Sequence, residues 1–150
     1  MPGPLPQPLV QRLLAGWPVA RLATIAPDGR PHLVPLVFAW HAGALWSPID
    51  GKPKRGSALA RARHLAREPR VALLLDRYAA DWRLLWWIRV DGRAGLRPAE
   101  AAVAEALRAK YPQYREVPLF SGQPTLIRIE PERSTSWYAS DAVLEALRAG

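Results

Sequence analysis

The chain has 150 residues, 49% hydrophobic and 23% charged, with a formal net charge of +8. That length and balance fit one globular domain and exclude a disordered or collagen-like chain. There is no cysteine, which excludes disulfides, thiol nucleophiles and cysteine-ligated zinc.

The Pro-rich start, Met1 to Pro8, lacks the charged segment and apolar run of a signal peptide. No stretch approaches a membrane span, so the expectation is a cytoplasmic protein without membrane partners. Leu9 to Ala15 reads as a short helix between Pro8 and Gly16, with Leu9, Val10, Leu13 and Leu14 on one face. Val19 to Ile25 alternates as a strand: Ala20, Leu22 and Thr24 on one side, Val19, Arg21, Ala23 and Ile25 on the other. Pro27-Asp28-Gly29 then supplies turn chemistry, making a hairpin with the next strand.

Pro31 to Trp40 is the longest predicted strand, with His32, Val34, Leu36, Phe38 and Trp40 on one face. Pro35 cannot donate to a ladder, so it marks an edge or a bulge. The backbone near Leu36 and Val37 is then either free to bond the polar edge of a heterocycle or simply part of an edge strand. His41-Ala42-Gly43 turns the chain into a strand over Ala44 to Ile49, and Asp50-Gly51 follows as a turn.

Lys52, Lys54 and Arg55 come next, just ahead of a helix expected over Gly56 to Arg67 with Ser57 to cap it. A helix start carries unsatisfied N–H groups and a partial positive charge. Cations on a Gly/Pro-stiffened loop before it form either a phosphate cradle or a solvated surface. On the helix, Leu59, Ala62, Leu65 and Ala66 are expected to face inward, and Arg61, His64, Arg67 and Glu68 outward.

Val71 to Leu75 reads as a strand buried on both sides, Asp76 to Asp81 as a loop and Trp82 to Val90 as a strand. Trp82, Trp86 and Trp87 crowd this last strand and point to a dimer face or a ring-stacking wall. Asp91-Gly92 marks a bend. Pro98 to Lys110 is a helix with Ala102, Val103, Ala106 and Leu107 as its inner stripe, broken by Tyr111-Pro112-Gln113-Tyr114. Thr125 to Glu130 is the last strand, and Ser140 opens a short helix. The chain is thus a single domain, with residues 1–17 as a helical N-terminal extension and 139–150 as a C-terminal helix.

No nucleophile–base pair stands out, and His32, His41 and His64 lie in unrelated settings. No spacing supports a metal, and no nucleotide-binding glycine motif is present. The expectation is therefore no catalytic side chain and no metal, with reactivity carried by a bound cofactor. A charge of +8 draws polyanions or a small ligand bearing phosphates and carboxylates. Specific nucleic-acid binding is not expected.

Several stretches resemble the pyridoxamine 5′-phosphate oxidase-like split-barrel flavin-binding superfamily, in particular its coenzyme F420-dependent branch. They are Arg21-Leu22-Ala23-Thr24, Asp28-Gly29-Arg30-Pro31-His32-Leu33-Val34-Pro35, Asp50-Gly51-Lys52-Pro53-Lys54, Trp86-Trp87-Ile88-Arg89-Val90-Asp91-Gly92 and Leu107-Arg108-Ala109-Lys110-Tyr111-Pro112-Gln113-Tyr114. The likeness runs from about Pro18 to Trp137. It implies a mainly β fold, a six-stranded antiparallel split β-barrel with helices, forming a homodimer with cofactor sites between the subunits. The implied activity is hydride transfer between deazaflavin F420 and a small organic acceptor. An FMN-dependent oxidoreductase and a non-catalytic cofactor-binding protein are the alternatives.

Carried over by motif, Lys52 and Lys54 hold the cofactor phosphate, beside Asp50 in the same loop. Pro35, Leu36 and Val37 run along the ring through their backbone, and Ser47, Pro48 and Ile49 line the ring and ribityl side. Trp82, Trp86 or Trp87, and Arg89 come from the other subunit. Arg30, Arg55 and Arg61 are candidates for the acidic tail.

Overall fold

The structure, a computed structural model, describes residues 2–49, 57–120 and 122–150, with the side chains of all but 57–59. Helix α1 (Gln7–Gly16) buries Leu9, Val10, Leu13 and Leu14, the face its apolar spacing dictates. Strands β1 (Ala20–Ile25) and β2 (Pro31–Leu36) form the expected hairpin, in register from Ala20↔Leu36 to Ile25↔Pro31. Its turn carries Gly29 at φ 85 and an Asp28 carboxylate that accepts the Arg30 N–H at 3.1 Å.

The long strand expected over Pro31–Trp40 is broken. After β2, Val37 and Phe38 leave the ladder, and β3 (Ala39–His41) pairs instead with β4 (Ala44–Pro48). Ala42 and Gly43, at φ 51 and 74, make the tight connection between them. Helix α2 (Ser57–Arg67) and strand β5 (Arg70–Arg77) follow. Strand β6 (Trp86–Pro98) begins later than expected because Trp82–Leu84 forms a short 3-10 turn, capped where the Asp81 carboxylate accepts the Arg83 N–H. Helix α3 (Ala101–Lys110), a second 3-10 turn (Pro112–Arg115), strand β7 (Thr125–Tyr138) and helix α4 (Asp141–Ala149) complete the chain. The Ser140 hydroxyl caps α4 by accepting the Ala142 N–H.

Among the described residues there are seven strands rather than six, in the order β2-β1-β5-β6-β7-β4-β3. The seventh arises from the break at Val37–Phe38. Strands β2 and β3 stand at opposite ends of that order yet are joined by two residues. A chain advances about 3.8 Å per residue at most, so the sheet must roll until its outer strands adjoin. That makes a barrel, and it is split because those two strands share no ladder.

The β6–β7 ribbon runs through both halves, from Trp86↔Tyr138 to Pro98↔Thr125, with a register shift at Asp91/Gly92. Strand β5 pairs with the first half of β6, and β4 with the first half of β7. At the bulge Gly92 is obligatory, since a Cβ there would lie 2.1 Å from the Glu130 carbonyl oxygen.

The barrel interior is packed with Leu22, Phe38, Leu45, Leu73, Leu75, Trp86, Ile88, Val90, Ile127 and Ile129. Each such side chain contributes about 1.5–3 kcal/mol by leaving water. A second cluster, including Trp46, Val103, Leu107, Tyr111 and Leu126, lies under α3. Helix α2 corrects the expected face: Arg61 and His64 are buried with Leu65, while Ala66 is exposed. The reason lies on β1, where the buried Thr24 hydroxyl sits 2.9 Å from His64 Nδ1 and gives the imidazole a partner.

Candidate functional site

Residues of β1, β2, β5 and β6 that alternate away from the core build an open groove on the outer face of the sheet. Its floor is Ala23, Ala72 and Leu74, its walls are Leu33, Tyr78 and Trp87, and Arg21, Asp76 and Arg89 supply its polar groups. The volume is about 420 Å³, in the range of small-ligand pockets. Strand pairing fixes this set: Arg21 lies opposite Leu74, Leu74 opposite Arg89, and Asp76 opposite Trp87. The floor exists because β5 is not buried on both sides as expected. Val71, Leu73 and Leu75 point inward, while Ala72, Leu74 and Asp76 remain part-exposed.

Arg21 Nη1 meets Asp76 Oδ1 at 2.6 Å across the groove, and Arg89 Nε lies 3.4 Å from Asp91 Oδ2. Arg133 Nη2 shares that Asp91 oxygen at 3.2 Å. Both groove guanidiniums are partly solvated, and each carries five N–H donors. Leu33, a groove wall, is 65% exposed, and Trp82, outside the groove lining, is 72% exposed. Within the groove Leu33 and Tyr78 are large exposed apolar residues lining one cavity, and such a patch marks a binding or subunit surface.

The break between β2 and β3 has its own apparatus. Ser47 Oγ donates to the Val37 carbonyl at 2.7 Å. The Phe38 N–H donates to the Tyr111 hydroxyl at 3.0 Å, and Lys110 Nζ donates to the Phe38 carbonyl at 2.9 Å. The Lys110 ammonium also lies 3.7 Å from the Phe38 ring centre. Burial lowers the Lys110 pKa to about 8 and raises that of Tyr111 to about 12.

Of the residues singled out from sequence, Arg89 lies in the groove. Pro35 stands on β2, at the end of the strand order, paired on one side with Arg21. Leu36, Ser47 and Pro48 are buried, Val37 and Ile49 half-buried, and Ile49 N–H donates to the Thr125 carbonyl. Asp50, Lys52, Lys54 and Arg55 lie outside the described residues, between the end of β4 and the start of α2. Trp82 is exposed beside the 3-10 turn.

Trp86 is a correction. It is 2% exposed and its ring meets Trp17 edge-on in the core, so it faces away from the groove. The alternation of β6 turns Trp87 outward instead. Arg61, on the buried face of α2, and Arg30, exposed at the hairpin turn, do not line the groove. Sequence reasoning gave no site role to Arg21, Leu33, Leu74 or Asp76. Their signal was the period-two alternation of β1, β2 and β5, which names the outward set once the inward one is known.

An open-seamed antiparallel barrel with helices over its ends and a groove on its outer face defines the split-barrel class. Residues 7–138 match the sequence model of the pyridoxamine 5′-phosphate oxidase family, and the chain belongs to that family. No curated protein sequence matches the chain. Among solved structures it is similar to a conserved hypothetical protein of Mycobacterium tuberculosis, with 23% identity over 91% of this chain and 87% of the other (TM-score 0.72). It is similar to a FAD-binding protein of Mesorhizobium loti, with 23% identity over 93% and 98% (TM-score 0.66). An F420 reductase shares 22% identity over 83% and 94% (TM-score 0.63).

Proposed function

We propose that the protein is an oxidoreductase that holds deazaflavin coenzyme F420 between two copies of the chain. The observation that carries this reading is the outer-face groove, whose apolar floor is flanked by Arg21 and Arg89. A flat ring system with polar edges fits that lining: the floor takes the ring and the guanidinium N–H groups take oxygens at its rim. A net charge of +8 favours a ligand that carries a phosphate and an acidic tail. Family membership and the likeness to an F420 reductase support the choice of ring.

The bound ring supplies two-electron hydride transfer to a small organic acceptor, which is why no catalytic side chain is needed. The chain's own residues bind and orient. Lys52 and Lys54 hold the phosphate, with Asp50 and Arg55 in the same loop. Backbone at Pro35, Leu36 and Val37 lies along the ring, Ser47, Pro48 and Ile49 shape its neighbouring wall, and Trp82, Trp87 and Arg89 come from the second copy. Apolar walls exclude water and keep the acceptor close. A cytoplasmic location belongs to the same reading.

The likeness to a FAD-binding protein supports a second reading, a flavin in the same groove. Fluorescence titration with F420 and with FMN separates the two. Saturable F420 binding, weakened about 5- to 150-fold (about 1–3 kcal/mol) in Lys52→Ala or Lys54→Ala, is the expected result. Tight FMN binding with none of F420 transfers the assignment to flavin. Unchanged affinity in both lysine variants removes the phosphate role.

A further inference from the structure

Among the described residues that line the outer-face groove, Asp76 is the one carboxylate. Strand pairing fixes its surroundings. On β5, Leu74 stands between Arg21 of β1 and Arg89 of β6, and Asp76 follows two residues on, opposite Trp87. Strands spaced by about 4.8 Å put the Arg21 and Arg89 backbones about 10 Å apart across Leu74. Arg21 reaches Asp76 diagonally, and its Nη1 meets Oδ1 at 2.6 Å.

That contact engages one carboxylate oxygen. The other, Asp76 Oδ2, has no donor among the described residues, although the side chain is only 21% exposed. An ion pair whose arginine is this solvated adds little to stability. Nor does a carboxylate suit a groove that takes anions alone, since it repels a phosphate or an acidic tail. Arg89 is placed differently: its partner Asp91 is shared with Arg133 and lies outside the described lining. The groove therefore has a cationic side at Arg89 and a charge-balanced side at Arg21 and Asp76. On the balanced side an N–H donor and an oxygen acceptor stand next to each other. Their complement is a neutral edge with a carbonyl oxygen beside an N–H, as in a cyclic amide or imide.

We propose that Asp76, steadied by Arg21, is a specificity residue that accepts the ring N–H at the carbonyl-flanked edge of the bound heterocycle. This rests on the reading that a ring cofactor occupies the groove. Flavin and deazaflavin rings share that edge, so Asp76 selects for the edge and not between the two rings. Arg21 donates to the neighbouring carbonyl oxygen, and the anionic part of the ligand is turned away from Asp76.

The test is a fluorescence titration of wild type, Asp76→Ala and Asp76→Asn with two ligands. One is whichever of F420 and FMN the wild type binds; the other is the same molecule methylated at that ring nitrogen. Thermal midpoints accompany each titration. Wild type should bind the unmethylated ligand about 10- to 100-fold more tightly, the usual range for a charge-assisted hydrogen bond. In Asp76→Ala the preference should largely disappear through weaker binding of the unmethylated ligand, with the thermal midpoint close to that of wild type. Asp76→Asn keeps an acceptor oxygen without the charge and should retain a reduced preference.

A wild type that binds the ring but does not distinguish the methylated ligand would overturn the role of Asp76 and leave the cofactor reading intact. Equal losses for the two ligands in Asp76→Ala would also overturn it, by making Asp76 only a support for Arg21. A preference of wild-type size in both variants would assign the ring N–H to another group. A wild type that binds neither ring sinks the functional reading, and this inference with it.

Discussion

The Thr24 hydroxyl and His64 Nδ1 lie 2.9 Å apart beneath α2, and the His32 ring stands edge-on to His64 at 4.8 Å between centres. Burial first, then the charges of His32 and Arg63, lower the His64 pKa, with Asp28 opposing them. The folded chain therefore takes this proton at lower pH than the unfolded chain does. The stability tied to neutral His64 is complete above the ordinary histidine value of about 6.5 and is lost as pH falls below it. The thermal midpoint should drop more between pH 7.5 and 5.5 in wild type than in His64→Leu. Equal drops in the two proteins would contradict the assignment.

Lys110 titrates in the opposite region. Its folded pKa, about 8, lies below the ordinary lysine value, so between about pH 8 and 10 the folded chain sheds a proton that the unfolded chain keeps. By linkage, stability contributed through Lys110 rises across that window. Tyr111, raised to about 12, keeps its proton in the folded chain while the unfolded chain begins to lose it near pH 10, a smaller opposing effect that wild type and Lys110→Met share. Urea denaturation at pH 8 and 10 should show a gain in wild type that Lys110→Met lacks.

Gly92 is the tightest point of the long β6–β7 ribbon. An added methyl would meet the Glu130 carbonyl oxygen at 2.1 Å and the Pro131 Cα at 3.3 Å, both backbone atoms that cannot rotate aside. Gly92→Ala should cost about 3 kcal/mol or more, or prevent folding, because the bulge must open to admit it. Gly95→Ala is the control. Its methyl meets nothing nearer than the Arg97 guanidinium at 3.8 Å, so denaturation midpoints should stay within about 0.5 kcal/mol of wild type.

Leu33 projects from β2 beside Trp87 and Leu74, and 65% of it is exposed. If a second copy covers this face, Leu33→Asp places a carboxylate in an apolar contact, which it resists by several kcal/mol unless paired. Sedimentation velocity should find two-chain particles for wild type and single chains for Leu33→Asp, with cofactor affinity lost in parallel. A single-chain wild type would remove the second copy from the account.

Much of the fold was legible because β1, β2 and β6 alternate cleanly and because Asp28-Gly29 and Pro35 carry their own backbone chemistry. What escaped the sequence depended on partners far along the chain. Pro35 marks an interruption nearby, but the bond that holds Phe38 off the ladder comes from Tyr111, 73 positions away, which no local residue announces. The face of α2 was misjudged because His64 is a polar residue on paper, and only Thr24, 40 positions earlier, makes it a buried one. Strand β7 was expected to end at Glu130. Its second half, Pro131 to Tyr138, is polar and becomes a strand only by pairing with Arg89–Asp91 and the tryptophans of β6.

The site divides along the same line. Arg89 is legible through its motif, whereas the choice between Trp86 and Trp87 is not, because aromatic content alone does not say which face of a strand is wet. Arg21, Leu33, Leu74 and Asp76 come together only when four strands are placed side by side. The loop from Asp50 to Arg55 carries a motif, whereas the groove exists only through strand pairing.

The most direct test is diffraction from crystals grown with F420. The account predicts the ring in the groove between two copies, over Leu74 and beside Arg89, with its phosphate at Lys52 and Lys54. A groove sealed by the second copy with no room for a ring, or F420 bound away from these residues, would contradict it.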